Sequence, residues 1–214
     1  QHPQHPFLLV DAAQSFGQIP VQEAASAADI YGFTGHKWTC GPEGLGGVAL
    51  SERVLEQARP TLIGWRSLQD ESKANLSSED PFHHDSRRFE VATSCVPLLA
   101  GLRTSLELLN QAGTAEQRLE QIRQRSEDLW QKLSQIKGVS PIVAAAPAAG
   151  LVSFQFEHSP SSGSETVAQL GHQGVWIRDL ADPICLRACT HVMTDAAEIN
   201  QLVNALKPMA TGHP

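Results

Sequence analysis

The chain has 214 residues, of which 41% are hydrophobic and 18% charged, and its formal net charge is −7. This length can bury a substantial core as one large domain or two small ones, and the composition is typical of a soluble globular protein. The acidic balance disfavours nucleic-acid binding, and no apolar run approaches the roughly 20 residues that span a bilayer.

The four cysteines, Cys40, Cys95, Cys185 and Cys189, form neither a C-x-x-C pair nor a metal-ligand spacing with histidine. This usage predicts reduced thiols in a cytoplasmic protein. The first six residues lack the basic and long apolar regions of a signal peptide. The chain begins without Met and soon reaches an apolar run, so we expect it to be the C-terminal part of a longer protein.

Short apolar runs at residues 7–10, 29–33 and 47–50 predict strands in residues 1–95. A short helix is predicted before Asp29, and another begins near Ser51. Continuous apolar runs are typical of buried strands in parallel sheets, so the pattern favours an α/β architecture. Asp11 follows the first run, at the end of a strand where open α/β sheets bind ligands.

Residues 60–90 are polar and irregular, and a long loop of this kind is usually functional or part of an interface. The doublet His83-His84 invites a metal-site interpretation. Two solvated loop histidines are the favoured interpretation. We therefore predict no metal site.

Leucines recur at spacings of three and four from residue 98 to residue 109, which predicts a helix beginning near Val96. A second amphipathic helix is predicted over residues 116–136, and it ends at Lys137-Gly138. We expect residues 96–137 to connect two domains.

Residues 138–214 predict a smaller α/β domain. Its strands are expected at residues 151–156, 174–178 and 184–188, and its helices after Ser164 and Asp195.

Five residues near the ends of the first two predicted strands suggest cofactor chemistry: Asp11, Gln14, Thr34, His36 and Lys37. A pyridine-type cofactor needs a carboxylate at its ring nitrogen and a lysine amine that holds its aldehyde as a Schiff base. A hydroxyl and an imidazole beside that lysine can bind a phosphate. Each residue alone has an ordinary explanation as a cap, a loop residue or a surface charge, but together they favour one site.

Four motifs together resemble the class V aminotransferases, fold-type I enzymes that bind pyridoxal 5'-phosphate (PLP) and include the cysteine desulfurases. The motifs are Val10-Asp11-Ala12-Ala13-Gln14, Thr34-Gly35-His36-Lys37, Gly41-Pro42-x-Gly44-x-Gly46 and Arg88-Phe89-Glu90-x-x-Thr93. The likeness runs from about residue 7 to residue 207. It implies that residues 1–95 are the C-terminal part of the PLP-binding large domain, with a mainly parallel sheet, and that residues 138–214 are the small α/β C-terminal domain.

By this resemblance Lys37 would bind PLP covalently, Asp11 would pair with the ring nitrogen, and Gln14 would bond the ring hydroxyl. Thr34 and His36 would contact the phosphate. The resemblance also implies a homodimer with active sites at the subunit interface. An N-terminal segment upstream of this chain would supply the phosphate loop and the residue that stacks on the ring.

Three further residues take their roles from the resemblance. Thr93 would reach the phosphate of the neighbouring subunit, and Arg187 would bind the substrate carboxylate. Arg178 would contribute a second such contact, and an exposed arginine in an ordinary ion pair is an equally favoured interpretation of it. Guanidinium groups suit this role because they offer two parallel donors to a carboxylate.

One departure from the family pattern concerns the reaction. Cysteine desulfurases carry a nucleophilic cysteine a few residues past the arginine that Arg178 matches, whereas residues 179–183 contain none. Cys185 and Cys189 fall in or beside the strand of Arg187, where a buried thiol is the favoured interpretation. We therefore expect elimination, in which Lys37 takes the Cα proton, the Cβ–S bond breaks, and pyruvate and ammonia are formed.

Within the family the chain most resembles the L-cysteine/L-cystine C–S lyases, which supply sulfide or persulfide for iron–sulfur clusters. Two arginines suit cystine, which has two carboxylates. Other possibilities stay open: a desulfurase with an unusual loop, an epimerase, a kynureninase-like hydrolase, or a non-catalytic scaffold with a degenerate PLP site.

Overall fold

The computed structural model describes residues 5–70, 81–158 and 162–210. The chain divides into two compact units, Gln1–Gln111 and Ala112–Pro214. This division falls between the two long helices that the sequence predicts, and the domain boundaries at residues 95 and 137 stay predictions.

The first unit has a sheet of three strands in the order β1-β2-β3. Its elements are β1 (Leu9–Asp11), α1 (Gln22–Ala27), β2 (Ile30–Thr34), β3 (Gly46–Leu50), α2 (Glu52–Gln57) and α3 (Val96–Gln111), with 3₁₀ turns at Trp65–Ser67 and Ser86–Phe89. The α/β class is confirmed. The described strands form a mixed sheet, because β1 and β2 are parallel whereas β2 and β3 are antiparallel. No helix lies between β2 and β3, and a parallel pairing needs a crossover connection.

Side chains alternate between the two faces of this sheet. Ala12 and Tyr31 are buried on one face, where Phe16 and Phe33 stack with their ring centroids 4.1 Å apart. Asp11 and Thr34 lie on the other face. The sheet therefore holds one closed apolar face and one face open to a ligand.

The second unit has a four-stranded antiparallel sheet in the order β4-β5-β7-β6. Its elements are α4 (Ala115–Ser134), β4 (Val139–Pro141), β5 (Leu151–Phe156), α5 (Gly163–His172), β6 (Arg178–Ala181), β7 (Ile184–Cys189) and α6 (Ala196–Ala210). Thr114 and Ser162 form capping boxes at the starts of α4 and α5, which satisfies backbone N–H groups there. In the described part of the chain, no helix is both long and apolar enough to cross a bilayer.

The core of this unit lies between the sheet and its helices. Val152 and Phe154 of β5 are fully buried there, together with Leu186 and Ala188 of β7. The alternate residues of both strands, Ser153 and Arg187 among them, therefore occupy the opposite face of the sheet.

One predicted strand is displaced. The sequence predicts a strand over residues 174–178, but β6 begins at Arg178. Gly174 has a positive φ of 75°, which ends the preceding helical turn, and Val175 and Ile177 pack against the core without strand pairing. An apolar run thus reflects burial here rather than sheet pairing.

Candidate active site

The turn that follows β2 is held tightly by hydrogen bonds around Gly35. Its N–H donates to the Leu45 carbonyl at 2.8 Å, and its carbonyl accepts from Gly41 N–H at 2.7 Å and from Thr39 Oγ1 at 2.6 Å. A Cβ at Gly41 would lie 2.6 Å from the Gly35 carbonyl oxygen, so only glycine allows this closure. The closed turn leaves the side chain of Lys37 exposed at its tip.

Asp11 and Thr34 lie at the carboxyl ends of β1 and β2 and line one open cleft of about 940 Å³. Gly32 stands opposite Asp11 in the sheet, and a Cβ built on it would meet no atom within 4 Å. The cleft is therefore open above Gly32 of β2, which lies beside Asp11 and two residues before Thr34. Most of its remaining lining is apolar, as in typical small-molecule sites.

Thr34 Oγ1 is buried and has no hydrogen-bond partner among the described residues. An unsatisfied buried hydroxyl costs about 1–3 kcal/mol, so a ligand oxygen at this position would be stabilising. Asp11 Oδ1 accepts from the Ala13 N–H at 2.9 Å, which fixes the carboxylate at the end of β1. Its Oδ2 atom makes no hydrogen bond within the described part of the chain.

Gln14 is tied to the turn that carries Lys37. The indole Nε1 of Trp38 donates to Gln14 Oε1 at 2.9 Å, and Trp38 is only 5% exposed. Gln18 Nε2 donates to the Gln14 backbone carbonyl. The turns after β1 and β2 are thereby joined through Trp38, the residue that follows Lys37.

The other predicted residues of this unit make fewer contacts. His36 and Lys37 are exposed, and neither side chain forms a hydrogen bond within the described ranges. Thr93 is exposed between the second 3₁₀ turn and α3, and it does not contact the other predicted site residues through a hydrogen bond in the described part. Of the predicted residues of this unit, Asp11 and Thr34 line the cleft, whereas Gln14, His36, Lys37 and Thr93 do not.

Arg178 and Arg187 belong to the second unit, where they are direct partners across β6 and β7. Ser153 of β5 pairs with Arg187 from the other side. Neither arginine forms an ion pair with any described residue, and Arg187 Nε is buried without a hydrogen-bond partner. Like charges directly opposite one another destabilise a sheet, so an anion bound by Arg178 and Arg187 would relieve their repulsion.

The thiol of Cys189 lies beside the guanidinium of Arg187. Desolvation by the surrounding atoms raises the pKa of Cys189 above its ordinary value, and Arg187 opposes part of this shift by charge and hydrogen bonding. The thiol is therefore protonated at neutral pH, which makes it a weak nucleophile. The buried thiol expected from the sequence is confirmed for Cys185 and is wrong for Cys189, which is exposed.

Sequence reasoning missed one contact of the predicted residues in each unit. Trp38 follows Lys37 directly, but nothing in its local sequence indicates that its indole binds Gln14. Ser153 belongs to an alternating strand, and only the register of β5 with β7 places it beside Arg187. Both depend on contacts between segments that are distant along the chain.

A family model described as aminotransferase class-V matches residues 1–203. Among curated proteins, the chain is 28% identical over 183 residues to a probable cysteine desulfurase of Methanothermobacter thermautotrophicus, covering 86% of this chain and 42% of that protein. It is also 28% identical to isopenicillin N epimerase of Amycolatopsis lactamdurans, over 94% of this chain and 52% of that protein. The chain thus spans about half the length of the curated relatives that it matches.

Two solved structures of the protein C-DES are similar to this chain. The complex of the cystine C–S lyase C-DES with its reaction product cysteine persulfide is 40% identical with a TM-score of 0.88, over 99% of this chain and 55% of the other. A C-DES mutant with glycine covalently linked to its PLP cofactor is 42% identical with a TM-score of 0.87, over 94% of this chain and 51% of the other. These similarities confirm the fold-type I class.

Proposed function

The chain belongs to the class-V aminotransferase family, and from that premise we propose that it forms part of a PLP-dependent C–S lyase that cleaves cysteine or cystine by β-elimination. One observation carries the choice of reaction. Ala181 pairs with Ile184, so β6 and β7 are joined by the two-residue turn Asp182-Pro183. This turn offers no loop for a nucleophilic cysteine next to the strand of Arg178, which favours elimination over persulfide transfer.

The residues of the first unit fit the PLP cofactor. Lys37 would hold it covalently, Asp11 would keep a proton on the ring nitrogen, and Gln14 would bond the ring hydroxyl. Thr34 and His36 would bind the phosphate, and the unsatisfied Thr34 hydroxyl supports this assignment. When bound, PLP supplies a protonated ring that accepts the electron pair released at Cα.

The amine of Lys37 would take the Cα proton of the substrate. The Lys37 side chain extends from the turn whose backbone is held by hydrogen bonds around Gly35. Loss of the proton is followed by cleavage of the Cβ–S bond. Cystine and one water would then yield cysteine persulfide, pyruvate and ammonia, and cysteine and one water would yield hydrogen sulfide, pyruvate and ammonia.

Arg178 and Arg187 of the second unit would bind the substrate carboxylates. Arg187, whose Nε has no partner in the described residues, suits the α-carboxylate. Arg178 directly opposite suits a second carboxylate, which cystine has and cysteine lacks. The name of the C-DES relative, a cystine C–S lyase, supports this choice of substrate.

A product assay tests the proposal. The protein in its natural full length would be given cystine and cysteine separately, and pyruvate, sulfide, persulfide and alanine would be measured. We expect pyruvate from cystine, and we expect Lys37→Ala to abolish it together with the visible absorbance of bound PLP. Release of alanine without pyruvate would overturn the elimination mechanism.

A cysteine desulfurase is the second candidate, because Cys189 lies beside Arg187 and curated relatives carry that name. Its product would be alanine, and Cys189→Ser would abolish its activity while leaving PLP bound. Retention of pyruvate release in Cys189→Ser would exclude this candidate.

We further propose that the protein is a cytoplasmic homodimer, in which Thr93 reaches the neighbouring subunit's phosphate, and that its sulfur product supplies iron–sulfur clusters. Sedimentation analysis tests the dimer, and cell fractionation tests the location. Cluster formation on a metal-free acceptor protein, with ferrous iron and cystine, tests the role of the sulfur. A monomer with full activity would overturn the shared site.

A further inference from the structure

The contact between Trp38 and Gln14 restricts how Gln14 can act. An indole N–H only donates, so the atom 2.9 Å from Trp38 Nε1 must be the carboxamide oxygen of Gln14. Because the carboxamide is planar, its NH₂ group is then directed away from the indole. Gln14 Nε2 has no acceptor within the part of the chain that the structure describes.

The backbone around this contact is also closely packed. Gly17 has a φ of +90°, and a Cβ there would lie 2.8 Å from the carbonyl carbon of Trp38. Gln18 binds the Gln14 carbonyl, and Ser105 of α3 donates to the carbonyl of Thr39, next to Trp38. The backbones near Gln14 and Trp38 are thus each fixed by further contacts, in addition to the hydrogen bond between the two side chains.

We propose that Trp38 is a positioning residue that turns Gln14 so that its NH₂ group, and not its carbonyl oxygen, faces the ring hydroxyl oxygen of the PLP cofactor. This inference rests on the proposed function of the site. A donor in this position stabilises the deprotonated form of the ring oxygen, whereas a carbonyl would stabilise the protonated form. Trp38 acts through Gln14 and does not itself contact the cofactor.

The first experiment uses cofactor-free protein and requires no activity. In ¹H–¹⁵N spectra of the indole groups, we expect Gln14→Ala to shift the Trp38 resonance and to leave that of Trp65 unchanged. Trp65 belongs to the same unit and is 42% exposed, so it is a matched control. An unshifted Trp38 resonance would overturn the contact.

The second experiment follows the absorbance of bound PLP as a function of pH. Trp38→Phe removes the donor and keeps an aromatic ring, and we expect it to raise the midpoint of the titration by roughly half to one pH unit. Gln14→Ala should give a similar shift, and the double variant should add little to either. Trp65→Phe should leave the midpoint unchanged.

The outcomes separate this inference from the proposed function. A wild-type protein that binds PLP, with an unchanged midpoint in Trp38→Phe, would overturn the positioning role alone. A wild-type protein that binds no PLP would overturn the proposed function and the cofactor role of Trp38 together. Gln14→Ala alters an exposed side chain, so it provides a test even where Trp38→Phe fails to fold.

Discussion

Arg178 and Arg187 lie directly opposite one another on the antiparallel strands β6 and β7. Neither forms an ion pair with a carboxylate in the described residues, although a cross-strand pair of like charges is unfavourable. A bound anion would relieve this repulsion, and we propose that the carboxylates of the substrate do so.

The first prediction concerns the two arginines. Arg187→Lys loses the bidentate geometry for the α-carboxylate, so the KM for both cysteine and cystine should rise about tenfold to a hundredfold. Arg178→Lys should raise the KM for cystine and leave that for cysteine unchanged. Steady-state kinetics measures both, with Arg123→Lys, an exposed arginine of the same unit, as the control. An equal effect of Arg178→Lys on the two substrates would contradict a second carboxylate site.

The second prediction concerns Thr34, whose buried hydroxyl has no partner among the described residues. Thr34→Val keeps the shape and removes the hydroxyl, so the cofactor-free protein should melt at the same temperature or slightly higher. The affinity for PLP should fall about fivefold to tenfold, as expected for one hydrogen bond of ~1 kcal/mol. Thermal melting and a PLP titration provide the two measurements.

Thr39→Val is the matched control, because Thr39 Oγ1 is buried and donates to Gly35 at 2.6 Å. That variant should lower the melting temperature. If Thr34→Val destabilised the cofactor-free protein to the same extent, its hydroxyl would have a structural partner and not a ligand role.

The third prediction concerns Cys189. Desolvation by the surrounding atoms raises the pKa of its thiol above the ordinary value of 9.0, and Arg187 offsets part of this rise. Alkylation of Cys189 by iodoacetamide, followed by mass spectrometry, should therefore be slow at pH 7 and accelerate above pH 9. Arg187→Ala should slow alkylation further at each pH, because it removes the charge that favours the thiolate. Faster alkylation in Arg187→Ala would show that the guanidinium shields the thiol instead.

The fourth prediction concerns Asp29, which joins the segment before β1 to α2. Its pKa is lowered from the ordinary value of 3.8, first by the Leu8 N–H and further by Ser51 and Arg53. The folded pKa lies below the unfolded one, so this stabilisation is complete above about pH 4 and is lost as the pH falls through the folded pKa. Asp29→Asn should therefore melt at a lower temperature than wild type at pH 7.

The difference in melting temperature should shrink as the pH falls from 5 towards 2. Glu56→Gln is the matched control, because Glu56 is an exposed carboxylate of α2 without a partner in the described residues. A constant difference between Asp29→Asn and wild type across this pH range would show that the effect is not electrostatic.

Local features were predictable from the sequence, because their determinants lie close together along the chain. The glycines around Thr34-Gly35-His36-Lys37 allow the closed turn, and the leucine spacing of α3 and the capping residues of α4 and α5 mark those helices. Four short motifs, at residues 10–14, 34–37, 41–46 and 88–93, together indicated the family.

The tertiary structure alone decided which of these residues meet. Antiparallel pairing of β3, the shifted start of β6, the register of Arg178 with Arg187 and the bond from Trp38 to Gln14 all join segments that are distant in sequence. Strand register depends on hydrogen bonds and packing between whole elements, and a shift of one residue would move every side chain to the other face. The sequence by itself thus determined the turn that presents Lys37, whereas the tertiary structure decided how its neighbours are oriented and which arginines form a pair.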